Sequence, residues 1–258
     1  MTYEAILDFW RSRNIKNASE LAAVLNAYSV NFAYHSGKIE NDEITYHDTR
    51  EVFDKNGVTA YTGSTKTLFE IQNAKAAYER MLRAFDDGQE VDEAFLKEVQ
   101  MLLTVGTYDE RRYQIGERPG EYKLHDYLTG KNEVGAPVED VREEICELLE
   151  ELRDVTDENA LVAAAYFHAK LENIHPFADG NGRTGRLLMN YILLVHNHPP
   201  VTIYEEDRKE YYRALERFDE ELELKSLIDF LRTQLIKTWG KQIKKEKSAR
   251  SSLGDYVE

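Results

Sequence analysis

Apolar residues recur at helical spacing along most of the chain, and the segments between the periodic stretches are short. Ile6, Phe9 and Trp10 mark one amphipathic stripe, and Leu21, Val24, Leu25 and Tyr28 a second, within the first thirty residues. Residues 45 to 64 carry Gly57 and Gly63 among scattered polar positions and show no period, which predicts a loop with room for short strands. The period returns at Leu68, Ile71, Lys75, Tyr78, Leu82 and Phe85, a long helix ending before Gly88. It returns again at Phe95, Leu96, Val99, Leu102 and Leu103. Between Gly106 and Gly116 it fails, so residues 106–116 read as a β-hairpin or extended flap. Residues 117 to 137, with Gly120, Gly130, Gly135 and two prolines, continue as loop into a helix carrying Val141, Ile145, Leu148, Leu149 and Leu152.

Two apolar helices then flank a polar turn. Leu161, Ala164, Ala165, His168 and Leu171 share one helix face, and Pro176 stops that helix one residue after His175. Leu187, Leu188, Tyr191, Ile192 and Val195 mark the buried seam of the next. His168, on an apolar face, reads as a hydrogen-bonded core histidine. His196 to Pro200 ends the second helix, Asp207 to Tyr212 opens another with Leu215 and Phe218, and a last helix runs from about 226 to 239. The basic and polar residues 240–258 read as a frayed tail. The pattern is that of a mainly α protein, a helical bundle with one small β-hairpin flap.

The turn itself, residues 175–186, gathers an imidazole, a carboxylate, three glycines, an amide and two guanidinium groups. Each suits the handling of a nucleoside triphosphate. Glycines let the backbone approach phosphate, and the helix that follows aims its first N–H groups at an anion. Arg183 and Arg186 can grip phosphate oxygens in bidentate fashion. Asp179 is a hard oxygen ligand suited to Mg²⁺, and His175 is a natural general base.

The segment resembles the signature of the Fic (filamentation induced by cAMP) family, HPFx(D/E)GN(G/K)RxxR, and residues 175–186 fill every position of it. The lead-in Phe167 to Ile174 and the trailing Leu187 to Asn190 are also similar to Fic sequence. The resemblance implies a Fic-type helical bundle and a protein adenylyltransferase, which moves AMP from ATP, with Mg²⁺, to a Ser, Thr or Tyr hydroxyl of a target protein. It implies that His175 takes the hydroxyl proton and that Asp179 holds Mg²⁺. Gly180, Asn181 and Gly182 would form the anion hole, Arg183 would meet the β-phosphate and Arg186 the γ-phosphate. In the family's phosphorylating branch a lysine replaces Gly182, so the glycine implies AMP transfer.

Further positions gain meaning from the same resemblance. Ser36, Glu40 and Asn41, in a helix around 34–42, fit the family's inhibitory pattern (S/T)xxxE(G/N); in the branch carrying this helix upstream of the core, the glutamate pairs with the second signature arginine, here Arg186. The expected flap, with Tyr113, Gln114 and Ile115, would dock the target segment as an added strand. Tyr212 matches a tyrosine near adenine, although Asp219 stands where related proteins have an asparagine that contacts the base. Three segments follow: 1–64 with the inhibitory helix, a core over 65–239, and the tail from 240 to 258.

Composition narrows the partners. The net charge is −15 and the isoelectric point about 5.0, which speaks against a nucleic-acid binder. No run approaches the ~20 apolar residues of a membrane span. The single cysteine, Cys146, excludes an internal disulfide, suits a cytoplasmic setting and reads as a packing residue. Self-modification and a homodimer are further expectations from the family. Two other readings remain: removal of AMP or transfer of another nucleotide on the same scaffold, and a P-loop-like nucleotide-binding interaction module. The second is opposed by Arg186 and Leu187 standing where a P-loop needs Lys and Ser/Thr.

Overall fold

The computed structural model describes residues 1–127 and 135–254, with side chains described as far as residue 246. Residues 128–134 of the expected loop and 255–258 of the expected tail lie outside the described residues. Helices follow one another along the chain: α1 (Tyr3–Arg11), α2 (Ala18–Val24), α3 (Asn26–Glu40), α4 (Tyr46–Lys55), α5 (Thr65–Asp87), α6 (Glu93–Thr104), α7 (Glu110–Gln114), α8 (Val141–Glu151), α9 (Ala160–Ile174), α10 (Asn181–Val195), α11 (Arg208–Glu221) and α12 (Lys225–Gly254). There is no strand among the described residues.

The centre is the antiparallel pair α9–α10. Phe167, Leu171 and Ile174 from one, and Leu188, Met189, Tyr191 and Leu193 from the other, are fully buried, each side chain contributing ~1.5–3 kcal/mol of apolar burial. α10 is hydrophobic almost all round because it has neighbours on every side: α9, α6, α5 and α3. α1 and α12 close the bundle, with Trp10 meeting Trp239 edge-on and Tyr28 stacking on the same indole. None of the described helices is long and apolar enough to cross a membrane.

Five expectations are corrected. The second stripe divides at Leu25: Leu21 and Val24 lie on α2, while Tyr28 belongs to α3, the helix that also carries most of the residues expected around 34–42. Residues 45 to 64 contain α4: the Thr45 hydroxyl oxygen accepts from the Asp48 N–H, and the pairs Arg50–Asp54 and Glu51–Lys55 stabilise its exposed face. Asn56, at φ 60°, ends it. Only Thr49 and Val52 are buried, so the helix offers almost no apolar period to read.

The expected hairpin over 106–116 is absent. The Asp109 carboxylate accepts from the Arg112 N–H and nucleates α7, so Tyr113, Gln114 and Ile115 sit in or just after a helical turn and offer no edge strand. The tail does not fray at 240: α12 continues, Ile243 is buried and Glu246 pairs with Arg13 at 2.6 Å. Cys146 is exposed on α8, and Val141, Ile145 and Leu148 carry that helix's packing instead.

A candidate active site at the turn between α9 and α10

The turn is rigid for reasons legible in its atoms. His175 caps α9 in the left-handed region (φ 50°), its N–H bonded to the Leu171 carbonyl at 3.0 Å. Phe177 is buried against Tyr122. The Asn181 side chain accepts from the Phe177 N–H at 3.0 Å and donates to the Phe177 carbonyl at 2.8 Å, so one amide satisfies both polar groups of a buried residue. Gly180 (φ 84°) opens α10, and a Cβ there would lie 2.6 Å from Thr104 Cγ2. The chain on either side of residues 128–134 rests on the same turn: the Lys123 N–H donates to the Pro176 carbonyl and the Ala136 N–H to the Ile174 carbonyl.

The ionisable groups are sharply individual. Burial, and then the nearby Lys123 charge, lower the His175 pKa to about 4, so its imidazole is neutral at pH 7. Asp179 is held from two sides, by Arg183 Nη2 at 3.1 Å and by Arg112 Nη1 at 3.3 Å, and keeps an accessible edge. Arg183 is buried, yet its Nε and Nη1 have no hydrogen-bond partner. Donors left open beside a helix N-terminus are what an anion would satisfy.

Arg186 is only 1 % exposed and is fully engaged. Nε donates to Ser36 Oγ at 3.0 Å; Nη2 donates to the Ser36 carbonyl at 2.9 Å and to Glu40 Oε1 at 2.7 Å; Nη1 reaches the Tyr211 hydroxyl at 3.4 Å. Gly182 permits this contact, because a Cβ there would stand 2.5 Å from Glu40 Oε1 and 2.8 Å from Arg186 Nη1. Ser36, Glu40 and Arg186 are therefore brought together across the length of the fold. Asn41 follows as the C-cap of α3 and donates to Glu70 Oε2 at 2.6 Å and to Thr67 Oγ1 at 3.0 Å.

Tyr212 is exposed, and its neighbour Tyr211 makes the contact with Arg186. Tyr211 also bonds the buried His168, whose Nε2 lies 2.6 Å from its hydroxyl. Asp219 accepts from Asn173 at 2.9 Å. Tyr113 and Ile115 are half-exposed, and α7 reaches the site through Arg112.

Three residues of this neighbourhood are not evident from the sequence patterns. Gln100 Nε2 donates to the Asp179 carbonyl at 2.8 Å while its Oε1 accepts from the Gly120 N–H; a glutamine inside the apolar stripe of α6 was its signal. Glu172 is partly exposed as a residue, but its Oε1 is buried and unpartnered, and desolvation raises its pKa to about 8 against the pull of Arg186. Glu70, on α5, lies between Asn41 and Arg183.

A turn between two buried helices that presents a neutral imidazole, a carboxylate, open backbone N–H groups and two buried guanidiniums has the chemistry to bind phosphate. A profile of the Fic/DOC family matches residues 90–193, which span the turn and the helices that carry it. The chain carries a Fic domain. Proteins of Drosophila persimilis and Drosophila mojavensis, both named "Protein adenylyltransferase Fic", are 54 % and 53 % identical to it over 57 residues. That stretch is 22 % of this chain and about a tenth of those relatives' length. A Fic-domain signalling protein from Bacteroides thetaiotaomicron shares the fold, with a TM-score of 0.80 at 23 % identity over 95 % of this chain and 97 % of that one. A Fic family protein from Desulfovibrio desulfuricans aligns with a TM-score of 0.74 at 27 % identity, over 95 % and 74 % of the two chains.

Proposed function

We propose that this protein transfers AMP from ATP to a Ser, Thr or Tyr hydroxyl of a target protein, and that Glu40 holds it in an inhibited state. The observation that carries the reading is the fully engaged Arg186. It lies in the first turns of the helix that opens at the glycine turn, buried, with a carboxylate from a distant helix in the place an anion would take. The names of the Drosophila relatives agree with this chemistry.

In the reaction the target oxygen attacks the α-phosphorus. The new O–P bond forms as the bond from that phosphorus to the bridging oxygen breaks, and pyrophosphate leaves. His175 takes the hydroxyl proton, its imidazole being neutral beforehand. The triphosphate's negative charge raises the imidazole's affinity for that proton. The N–H groups at the start of α10, with Arg183 and Arg186, stabilise the charge that collects on phosphate oxygens. Asp179, a single carboxylate with an accessible edge, fits a Mg²⁺ that arrives with ATP and keeps mostly phosphate and water ligands. That ion would neutralise phosphate charge.

The test is the intact mass of Glu40→Gly protein after incubation with MgATP, beside wild type and the Glu40→Gly/His175→Ala double variant, with a lysate as the source of targets. Label from ATP's adenylate in the first sample alone is the expected result. Transfer of a phosphate instead would mean that the nucleotide binds reversed, and loss of AMP from pre-labelled protein would favour the de-AMPylating alternative. No labelling of any protein by Glu40→Gly would overturn the proposal.

A further inference from the structure

Glu70 lies on α5, far from the signature turn in sequence, and is 7 % exposed. Its carboxylate accepts from Asn41 Nδ2 at 2.6 Å and stands 3.7 Å from Arg183 Nη1; Lys66, one turn earlier on α5 and half-exposed, is its other cation at 3.8 Å. Asn41 is the residue on which α3 ends. Besides Glu70 it holds Thr67 Oγ1, and its own Oδ1 accepts from the Glu43 N–H.

Beside this contact lies a cavity of about 20 Å³. Ser36, Gly37 and Glu40 face it from α3, and Glu70, Ala74 and Arg183 from α5 and α10. A void of that size has room for about one water and supplies no dispersion contacts. On this side the last turn of α3 is fastened to the body of the protein by polar ties, beside the apolar anchor of the buried Ile39. Two of these ties bear directly on Glu40: its own contact with Arg186, and Asn41 to Glu70.

We infer that Glu70 is the anchor of the restraint: a positioning residue that holds the last turn of α3 through Asn41 and so keeps Glu40 on Arg186. This rests on the proposed reading of the site as a nucleotide-phosphate site. The ion pair with Arg183 makes the anchor responsive. At 3.7 Å it is longer than a hydrogen bond, and Nη1 is otherwise unpartnered. A phosphate that attracts Arg183 draws it from Glu70 and leaves that buried carboxylate with less compensation, which weakens the anchor. Each signature arginine thus has a carboxylate of the restraint to give up, Arg186 directly and Arg183 through Glu70.

Amide exchange at residues 37–41 is the readout, because the Asn41 N–H closes the last turn on the Gly37 carbonyl at 2.9 Å. It is measured in wild type, Glu70→Ala, Glu70→Gln, Asn41→Ala and the Asn41→Ala/Glu70→Ala double variant, with AMP incorporation from MgATP measured alongside. Losing a bond to a charged group corresponds to about tenfold faster local opening. That acceleration is expected at 37–41 in Glu70→Ala and in Asn41→Ala, with amides of the α9–α10 core unchanged and no further gain in the double variant. Glu70→Gln keeps an acceptor for Asn41, so it should recover most of the wild-type protection. AMP incorporation should rise in step with exchange.

Wild-type exchange at 37–41 in Glu70→Ala, or acceleration spread evenly over the chain, would overturn the inference, as would additive effects of the two alanine substitutions. If exchange behaves as expected while Glu40→Gly transfers no AMP, the anchor stands and the nucleotide reading fails.

Discussion

Replacing Glu40 is the perturbation whose size the structure lets us work out. The carboxylate, about a third exposed, meets a guanidinium that is 1 % exposed, at 2.7 Å, so the contact is a charge-assisted hydrogen bond with one side open to solvent. Such a bond contributes ~1.5–3 kcal/mol, and a γ-phosphate that must displace it forfeits that amount, a factor of about 10–150 in productive ATP binding. Arg186 does not scatter when Glu40 goes, because the Ser36 hydroxyl and carbonyl still hold it at 3.0 and 2.9 Å. Glu40→Gly should therefore raise AMP incorporation at subsaturating ATP by about 10–150-fold. Glu40→Gln retains a neutral acceptor worth ~0.5–1.5 kcal/mol and should fall between glycine and wild type. A buried guanidinium with one fewer counter-charge costs ~1–3 kcal/mol, so the glycine variant should also melt several degrees lower. Initial rates by intact mass, ATP titration by calorimetry and a thermal melt give all three quantities. A glycine variant that melts lower but gains less than about threefold in rate would mean that the pair only holds the fold, and the competition argument would be refuted.

Three further outcomes follow from the same geometry. His175→Ala in the Glu40→Gly background should lose ~10²–10⁴ in transfer rate while calorimetry still detects ATP binding; a normal rate would sink the base assignment. Asn181→Leu strands the buried N–H and carbonyl of Phe177, costing ~1–3 kcal/mol for each, and should lower the urea midpoint markedly; an unchanged midpoint would show that the turn is held by other means. Stability should peak near pH 6.5. Burial lowers His35 and His175 to about 4 and His168 to about 3, so from there up to 6.5 the unfolded chain binds more protons and stability rises with pH. Burial raises Glu172 to about 8, so its contribution is complete below about 4.5 and is lost as pH climbs to 8. The histidines outnumber it below 6.5 and it acts alone above. Urea melts across pH 4–8 test the shape, and Glu172→Gln should remove the decline above 6.5.

The α9–α10 turn was legible because its chemistry is contiguous: a dozen adjacent residues carry both the loop geometry and the charge, and apolar helices frame them. Glu40 opposite Arg186 could be expected only through the family pattern, since nothing local to α3 announces a partner 146 residues away. Glu70 was invisible for the same reason without a pattern to help: one glutamate on a long amphipathic helix looks like any solvated one. α4 was missed because a helix fastened by its cap and by i,i+4 ion pairs shows almost no hydrophobic period, although the Thr45–Asp48 cap was there to read. The misplaced hairpin came from two glycines bracketing an aperiodic stretch, where Asp109 was in fact capping a short helix.

The order of the two halves of the Arg186 contact along the chain matters for how the protein is made. Glu40 precedes its partner by 146 residues. At ordinary rates of translation it leaves the ribosome about 7–30 s before Arg186 does. When the last turn of the site is synthesised, the segment that occupies it has long been waiting. On the proposed reading, a nascent chain of this design has no interval in which a finished site stands without its restraint, and no unrestrained transfer accompanies its own synthesis.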